Sequence, residues 1–416
     1  MHEILRPLRI RGFARLAATY ALNELADWLA TITLAILVYD ATGEPLAATA
    51  LFVAAKFLPA LAVPVVAARL DNRPVARVLS RAYLAETAIF AALALTADAF
   101  WLPLVLLLAL LDGTVAASAR AITRAATVAV LEPAGRLREG NALLNVAFAT
   151  MYAGGPALAA LLVAASGPGP VLGLAGGVFL VLAVVVSRGR DLPAGRPDRG
   201  PTLVALREGL AYARRNPAVR TLLSGQALVI LLFTMVTPIE VVYAKESLDA
   251  GDAGLGLLLT AAGAGVLVGS AVFARARRAP LALLVALPTA VMALGYVGLA
   301  LAPSLPVAMI VAMVTGVGNG VQWIAVVTAI QESTEERFQG RIAGLLEAVG
   351  TGAPGIAYVL GGAITAVFDP RTAFAVGGAG VLVVLAVGGT LLRGSRERRG
   401  APIPAPTPAP AGDPVG

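Results

Sequence analysis

The chain has no cysteine and one histidine, His2. The first absence excludes a disulfide framework, a thiolate metal site and a cysteine nucleophile; the second excludes a histidine-based metal site or proton relay. Charge is scarce as well. Charged residues make up 14% of the chain and apolar residues 58%, a balance that excludes a soluble enzyme and places the chain in lipid. Lysine is nearly missing: Lys56 and Lys245 stand against thirty arginines among 32 basic residues. Neither lysine follows a glycine and no Gly-Lys-Ser/Thr occurs, so no phosphate-binding loop and no use of ATP is expected. The run from Gly263-Ala-Gly265 to Gly269 imitates a dinucleotide fingerprint, but its spacing is wrong and no strand precedes it.

What the chain has in abundance is apolar length. Stretches near residues 16–38, 46–68, 82–97, 101–123, 142–165, 169–187, 219–243, 254–274, 281–301, 306–330, 342–367 and 372–393 approach or exceed the roughly 20 residues that cross a bilayer core. Lipid offers no partner to an open backbone, and these runs far exceed the roughly 10 residues of a barrel strand, so all are expected to be helices. The basic residues agree with this division. Twenty-nine of the 32 fall in alternate gaps: Arg6, Arg9, Arg11 and Arg15 at the start, then near 69–81, 120–138, 188–220, 275–278 and 337–341, and after Arg393. Cytoplasmic loops retain Lys and Arg, which puts both termini in the cytoplasm. Lys56, Lys245 and Arg371 break the pattern. A surplus of seven positive charges, spread loop by loop along one membrane face, is explained by topology, and no nucleic-acid partner is expected. The first apolar run is too long for a cleavable signal and is expected to stay in the mature protein.

The expected organisation is a six-helix bundle over residues 1–187, a cytoplasmic linker over 188–217, a second six-helix bundle over 218–394 and a disordered cytoplasmic tail over 395–416. Within the linker, Leu203, Leu206 and Leu210 oppose Arg207, Arg214 and Arg215, the pattern of a short amphipathic helix on the membrane surface. The Pro-rich tail cannot bury a core. A weak repeat relates the halves: Leu131-Glu-Pro-Ala-Gly-Arg-Leu-Arg-Glu-Gly-Asn141 precedes a helix carrying Gly154-Gly-Pro156, and the loop from Ile330 to Arg341 precedes one carrying Gly352-Ala-Pro354. Such a duplication is the trace of parallel repeats in transporters.

Asp27, Lys56 and Asp112 fall near the bilayer centre, where each costs at least about 2.5 kcal/mol and so should face a cavity or a partner. Tyr20, Asn23, Asp27 and Thr31 share one helical face, and Asp112 shares one with Arg120 two turns below. Two readings stay open: Asp27 and Asp112 carry protons, or Lys56 and one Asp form a structural ion pair. Glu24 is a further coupling candidate. Glu86, about one turn inside the third helix, is expected to snorkel, and Glu240 is either an external gate or an ordinary interfacial charge. The second half offers Gln226, Asn319, Gln322 and Trp323, for substrate contact or for packing alongside Gly316, Gly318 and Gly320. Gly155-Pro156 is a kink or a gate.

The chain resembles the major facilitator superfamily from about Arg11 to Arg393, and within it the drug:proton antiporter branch of macrolide-efflux and enterobactin-exporter-like proteins. The likeness rests on Ala26-Asp27-Trp28, Leu58-Pro59, the segment 135–141, Gly340-Arg341 and Gly155-Pro-Ala-Leu-Ala-Ala160. The last is similar to the antiporter motif Gly-Pro-x-x-Gly-Gly, with alanines for both closing glycines and Met151 where a leading glycine is usual. Ala67-Ala-Arg-Leu-Asp-Asn-Arg73 is a degraded form of the loop motif Gly-x-Leu-Ala-Asp-Arg, with Asp71 out of register. The resemblance implies an all-α membrane protein of twelve transmembrane helices in two six-helix bundles, gated at Asp71, Arg73, Gly155, Pro156, Gly340 and Arg341.

The function expected is proton-coupled efflux of an amphipathic organic compound by alternating access. Uptake symport of a small metabolite is the alternative, and a membrane enzyme or non-transporting sensor the less favoured one. The expected partners are a small molecule, protons and the bilayer, with no cofactor and a monomeric chain. The Arg-rich, Ala- and Gly-heavy composition points to a GC-rich bacterial genome and hence to an inner membrane.

Overall fold

The computed structural model describes residues 6–61, 73–189, 191–193, 203–276 and 279–400. Eleven of the described helices are long and apolar enough to cross a membrane, and a twelfth, shorter one covers Pro45–Leu61. In chain order the twelve are α1 (Arg11–Thr42), α2 (Pro45–Leu61), α3 (Val75–Thr96), α4 (Leu102–Leu131), α5 (Leu137–Ser166) and α6 (Pro168–Ser187), then α7 (Pro217–Ser247), α8 (Gly251–Arg275), α9 (Leu281–Leu301), α10 (Leu305–Glu332), α11 (Gln339–Val367) and α12 (Pro370–Gly400). The expected continuation of α2 to residue 68, and Asp71, lie outside the described residues, as do residues 401–416 of the tail.

Two boundaries differ from expectation in a way that matters. The third helix begins at Val75 rather than near residue 82, and the fourth runs to Leu131 rather than 123. Arg77, Arg81 and Arg124 are therefore helical residues rather than loop residues. A helix satisfies its own backbone wherever it runs, and an arginine stem is long enough to bring its head to water from a helical position, so the end of apolarity is not the end of the helix.

Within the first six helices α1 packs on α5 and α6, and α3 on α6; within the last six α8 and α9 pack on α10, and α9 on α12. The halves meet where α5 lies along α8 and α2 along α11. Tyr83 and Phe90 of α3 stack on Phe179 of α6, with ring centroids 6.2 and 5.4 Å apart. The contact between α8 and α10 has almost no side chains in it. A Cβ on Gly316 would lie 2.0 Å from the Ala262 carbonyl oxygen, and one on Gly265 2.1 Å from that of Met313. Small residues in this arrangement let two membrane helices touch backbone to backbone.

The chain's two lysines share a setting: each lies in a π-helical turn, Lys56 in Val53–Phe57 of α2 and Lys245 in Tyr243–Ser247 of α7. Such turns loosen the backbone ladder and occur often at functional positions.

The linker forms a helix, Leu203–Arg215, that lies against the start of α11. Neither Leu206 nor Leu210 of the expected leucine face is fully buried. Leu210 is exposed while Gly209 and Ala213 are buried, because the small residues admit the α11 backbone: a Cβ on Gly209 would come within 3.0 Å of the Arg341 carbonyl oxygen. Glu208 then accepts from Arg341 at 2.9 Å, and Tyr212 stacks on Phe338 with centroids 4.3 Å apart.

Candidate functional site

A cavity of about 580 Å³ separates the two halves. Its wall from the first half carries Tyr20, Glu24, Asp27, Trp28 and Thr31 of α1, Lys56 of α2, and Arg120 and Arg124 of α4. Its wall from the second half carries Thr237 and Glu240 of α7, Tyr296 of α9, Thr315 and Asn319 of α10, and Tyr358 of α11. The first wall is densely charged and also carries the rings of Phe52, Phe148 and Tyr152; the second has a single acid among weakly polar, apolar and aromatic residues. The end of the cavity away from the linker is sealed. There Tyr39 of α1 donates to Glu246 of α7, and Lys245 of α7 bridges Asp40 of α1 and Asp252 of α8. Arg371 fastens the same end from inside the second half, donating to the carbonyls of Ala300 (2.9 Å), Ala302 (2.7 Å) and Ser247 (2.7 Å). At the linker end, by contrast, Arg124, Phe148 and Glu347 stay exposed, although Arg124 and Glu347 approach to 3.5 Å across the two halves. The cavity opens there.

The charged wall is organised around an arginine. Arg120 donates to Asp27 at 2.5 Å and lies within electrostatic reach of Glu24, Asp112 and Glu86. An ion pair of Lys56 with Asp27 or Asp112 does not form. Lys56 is exposed to the cavity and acts on Glu24 and Asp112 only through its field. Arg120 wins the Asp27 contact because α4 extends well past Asp112 before it ends at Leu131, which carries the guanidinium to the level of α1's carboxylate. Close passage of α2 over α4 keeps Lys56 near the cluster: a Cβ on Gly113 would be 2.0 Å from the Ala55 carbonyl oxygen. Asp112 stands behind the wall rather than in it, with one carboxylate oxygen buried and without a hydrogen-bond partner.

Glu86 does not snorkel. It is fully buried, and neither of its carboxylate oxygens has a hydrogen-bond partner. A helix start near residue 82 would set Glu86 at the rim; the start at Val75 sets it deep in the span. Asn23 is also buried, its side-chain oxygen unpartnered.

In the second half, Asn319 lines the cavity, whereas Gln226 and Gln322 do not. Those two bury their side chains against each other, Gln322 Nε2 donating to Gln226 Oε1 at 2.7 Å. Each amide is the partner the other needs where water is absent. Trp323 is half-exposed and is not among the lining residues. Gly155 admits Trp28, to whose Cβ its own would stand at 2.7 Å, and the Pro156 carbonyl faces Gly256 of α8. Gly340 is exposed, Arg341 is taken up by the linker helix, and Arg73 lies at the mouth of a smaller groove shared with Arg77 and Arg81.

A twelve-helix frame of two halves around one central cavity is the major facilitator fold, and the protein is a membrane transporter. The chain belongs to the transmembrane secretion effector family, whose model matches residues 3–403. Among solved structures, a point mutant of the nucleoside transporter NupG superposes with a TM-score of 0.73 at 12% identity, covering 91% of this chain and 99% of that one. A bacterial homologue of the human lysosomal transporter Spinster, inward-facing and unoccupied, gives 0.70 at 13% identity over 96% and 100%. A bacterial homologue of the iron transporter ferroportin, also inward-facing, gives 0.68 at 19% over 91% and 98%. Curated protein sequences contain no match to the chain.

Proposed function

We propose that this transporter is a proton-coupled exporter of amphipathic organic compounds, working by alternating access in a bacterial inner membrane with both termini in the cytoplasm. The observation that carries the reading is the cavity lining: five charged residues on the first-half wall against one on the second, with aromatic rings on both. A compound with a polar and an apolar face fits such a space, whose volume lies within the range of about 300 to 1,000 Å³ usual for small-molecule sites. The family's description as secretion effectors favours export. Asp27 and Asp112 are the coupling groups, with Glu24 beside them. Four carboxyl groups, these three and Glu86, share Arg120 as a neighbouring cation, and Lys56 acts on two of them, Glu24 and Asp112, so a proton taken up or released there changes how firmly Asp27 holds Arg120. With the termini in the cytoplasm, the opening at the linker end is the inward-facing state. Gly155 and Pro156 at the α1–α5–α8 contact, and Gly340-Arg341 under the linker helix, are where the halves and their connection adjust; Arg73 belongs to the corresponding segment of the first half.

The test is accumulation of candidate compounds in everted, sealed vesicles with an acid-inside pH gradient. Gradient-driven accumulation is expected for the unmodified chain and its loss for Asp27→Asn and for Asp112→Asn. If both variants accumulate fully, neither carboxyl carries the proton and the mechanism is wrong.

A further inference from the structure

Glu240 is the one acidic residue on the second-half wall of the cavity, and no lysine or arginine lines that wall. Among the described residues its carboxylate has no hydrogen-bond or ion-pair partner, and no cationic side chain acts on it. This sets it apart from Glu24 and Asp27 opposite, which Arg120 and Lys56 serve. A lone carboxylate at membrane depth is expensive and needs a partner from somewhere.

The chain breaks its own helix to hold Glu240 there. Pro238 lacks the N–H that would continue α7, and the helix passes through a short 3-10 turn, Thr237–Ile239, before resuming at Glu240. Tyr152, Tyr296 and Tyr358, from three different helices, lie within electrostatic reach of the carboxylate. Tyr152 in turn meets Trp28 edge-on, ring centroids 5.2 Å apart, and Tyr358 meets Phe52 at 5.7 Å. Tyr296, which lines the same cavity, commits its hydroxyl to the Phe233 carbonyl at 3.0 Å. A carboxylate without a cation, in a cavity lined by several aromatic residues, suits a weakly hydrated organic cation: the charge meets the acid, and ring faces supply cation–π attraction.

We infer that the cavity selects lipophilic organic cations, with Glu240 as their counter-charge and the rings of Trp28, Tyr152, Tyr296 and Tyr358 as the cage. The inference rests on the cavity being the transported compound's site, as proposed above, and not on proton coupling or on direction.

The probes are tetraphenylphosphonium and tetraphenylborate, which share a shape and differ in the sign of their charge. Equilibrium dialysis against the purified full-length chain in detergent, with protein-free micelles as the blank, should show the phosphonium bound at least about tenfold more tightly than the borate. Glu240→Gln should weaken phosphonium binding by at least about tenfold, as removal of one member of a desolvated charge pair does, and erase the preference between the two probes. Tyr152→Leu should weaken the phosphonium more than the borate. Equal binding of the two probes by the unmodified chain, or unchanged phosphonium affinity in a Glu240→Gln variant that elutes as a single species, overturns the inference. The first comparison uses no variant, so a folding defect cannot mask it. Selective phosphonium binding without gradient-driven accumulation would remove proton-coupled export and leave this assignment standing; gradient-driven accumulation of other compounds without phosphonium selectivity would do the reverse.

Discussion

The guanidinium of Arg120 on α4 meets the carboxylate of Asp27 on α1 at 2.5 Å, in the wall of a cavity that reaches the middle of the fold. Removing one partner of such a pair strands the other, which costs about 3 to 5 kcal/mol when both are buried and less where cavity water reaches them. Arg120→Met should therefore lower the unfolding temperature in detergent markedly, and adding Asp27→Asn should recover part of the loss. A double-mutant coupling of at least about 0.5 kcal/mol is expected. Lys56→Met, which breaks no ion pair, should cost clearly less than Arg120→Met.

The seal away from the linker makes a conformational prediction. Lys245 joins Asp40 of one half to Asp252 of the other, so Lys245→Met should shift the population toward states open at that end. The native chain has no cysteine, so a single Thr31→Cys reporter inside the cavity reads access without background. An impermeant maleimide added from the sealed side should label it faster in the Lys245→Met background; an unchanged rate would show that the latch does not hold the seal.

Gly316 sits where α10 and α8 touch. Gly316→Val forces those backbones apart, and overpacking of this kind costs about 1 to 3 kcal/mol. Thermal unfolding should fall accordingly, while Gly154→Val, at a glycine with open space around it, should leave it nearly unchanged.

Topology has its own test. Reporters fused at Gly43 and Ser166, the ends of α1 and α5, should score external, and those at Arg196 and Gly400 cytoplasmic. A reversed or odd-numbered pattern would contradict the orientation proposed.

The twelve apolar segments are legible in the sequence because a bilayer imposes length and helicity on anything that crosses it. Depth alone also isolates Asp27, Lys56 and Asp112, since a charge inside an apolar run stands out whatever its partner. What depth does not supply is who meets whom. Arg120 is legible as sharing a helical face with Asp112, yet its ion-pair partner is Asp27 on another helix. Glu86 reads as a rim residue because the arginines before it hide a helix that starts at Val75. Glu240 reads as an interfacial charge because sequence distance from Ser247 does not reveal that, just after the 3-10 turn at Thr237–Ile239, it lines the cavity. The three basic residues outside the topological pattern are a useful signal: Lys56 lines the cavity, while Lys245 and Arg371 fasten its sealed end.

Backbone contact between α8 and α10 also has a mechanical meaning. Interleaved side chains can slip past one another by hopping between rotamers, but two main chains in contact, with Gly316 over Ala262 and Gly320 over Val266, have no such lubricant. The two helices behave as one plank, so a displacement of α8 carries α10 with it. Deformation during turnover then concentrates where long side chains bridge the halves, at Asp40 with Lys245 and at Arg124 with Glu347, contacts that can be broken and remade without disturbing a single turn of helix.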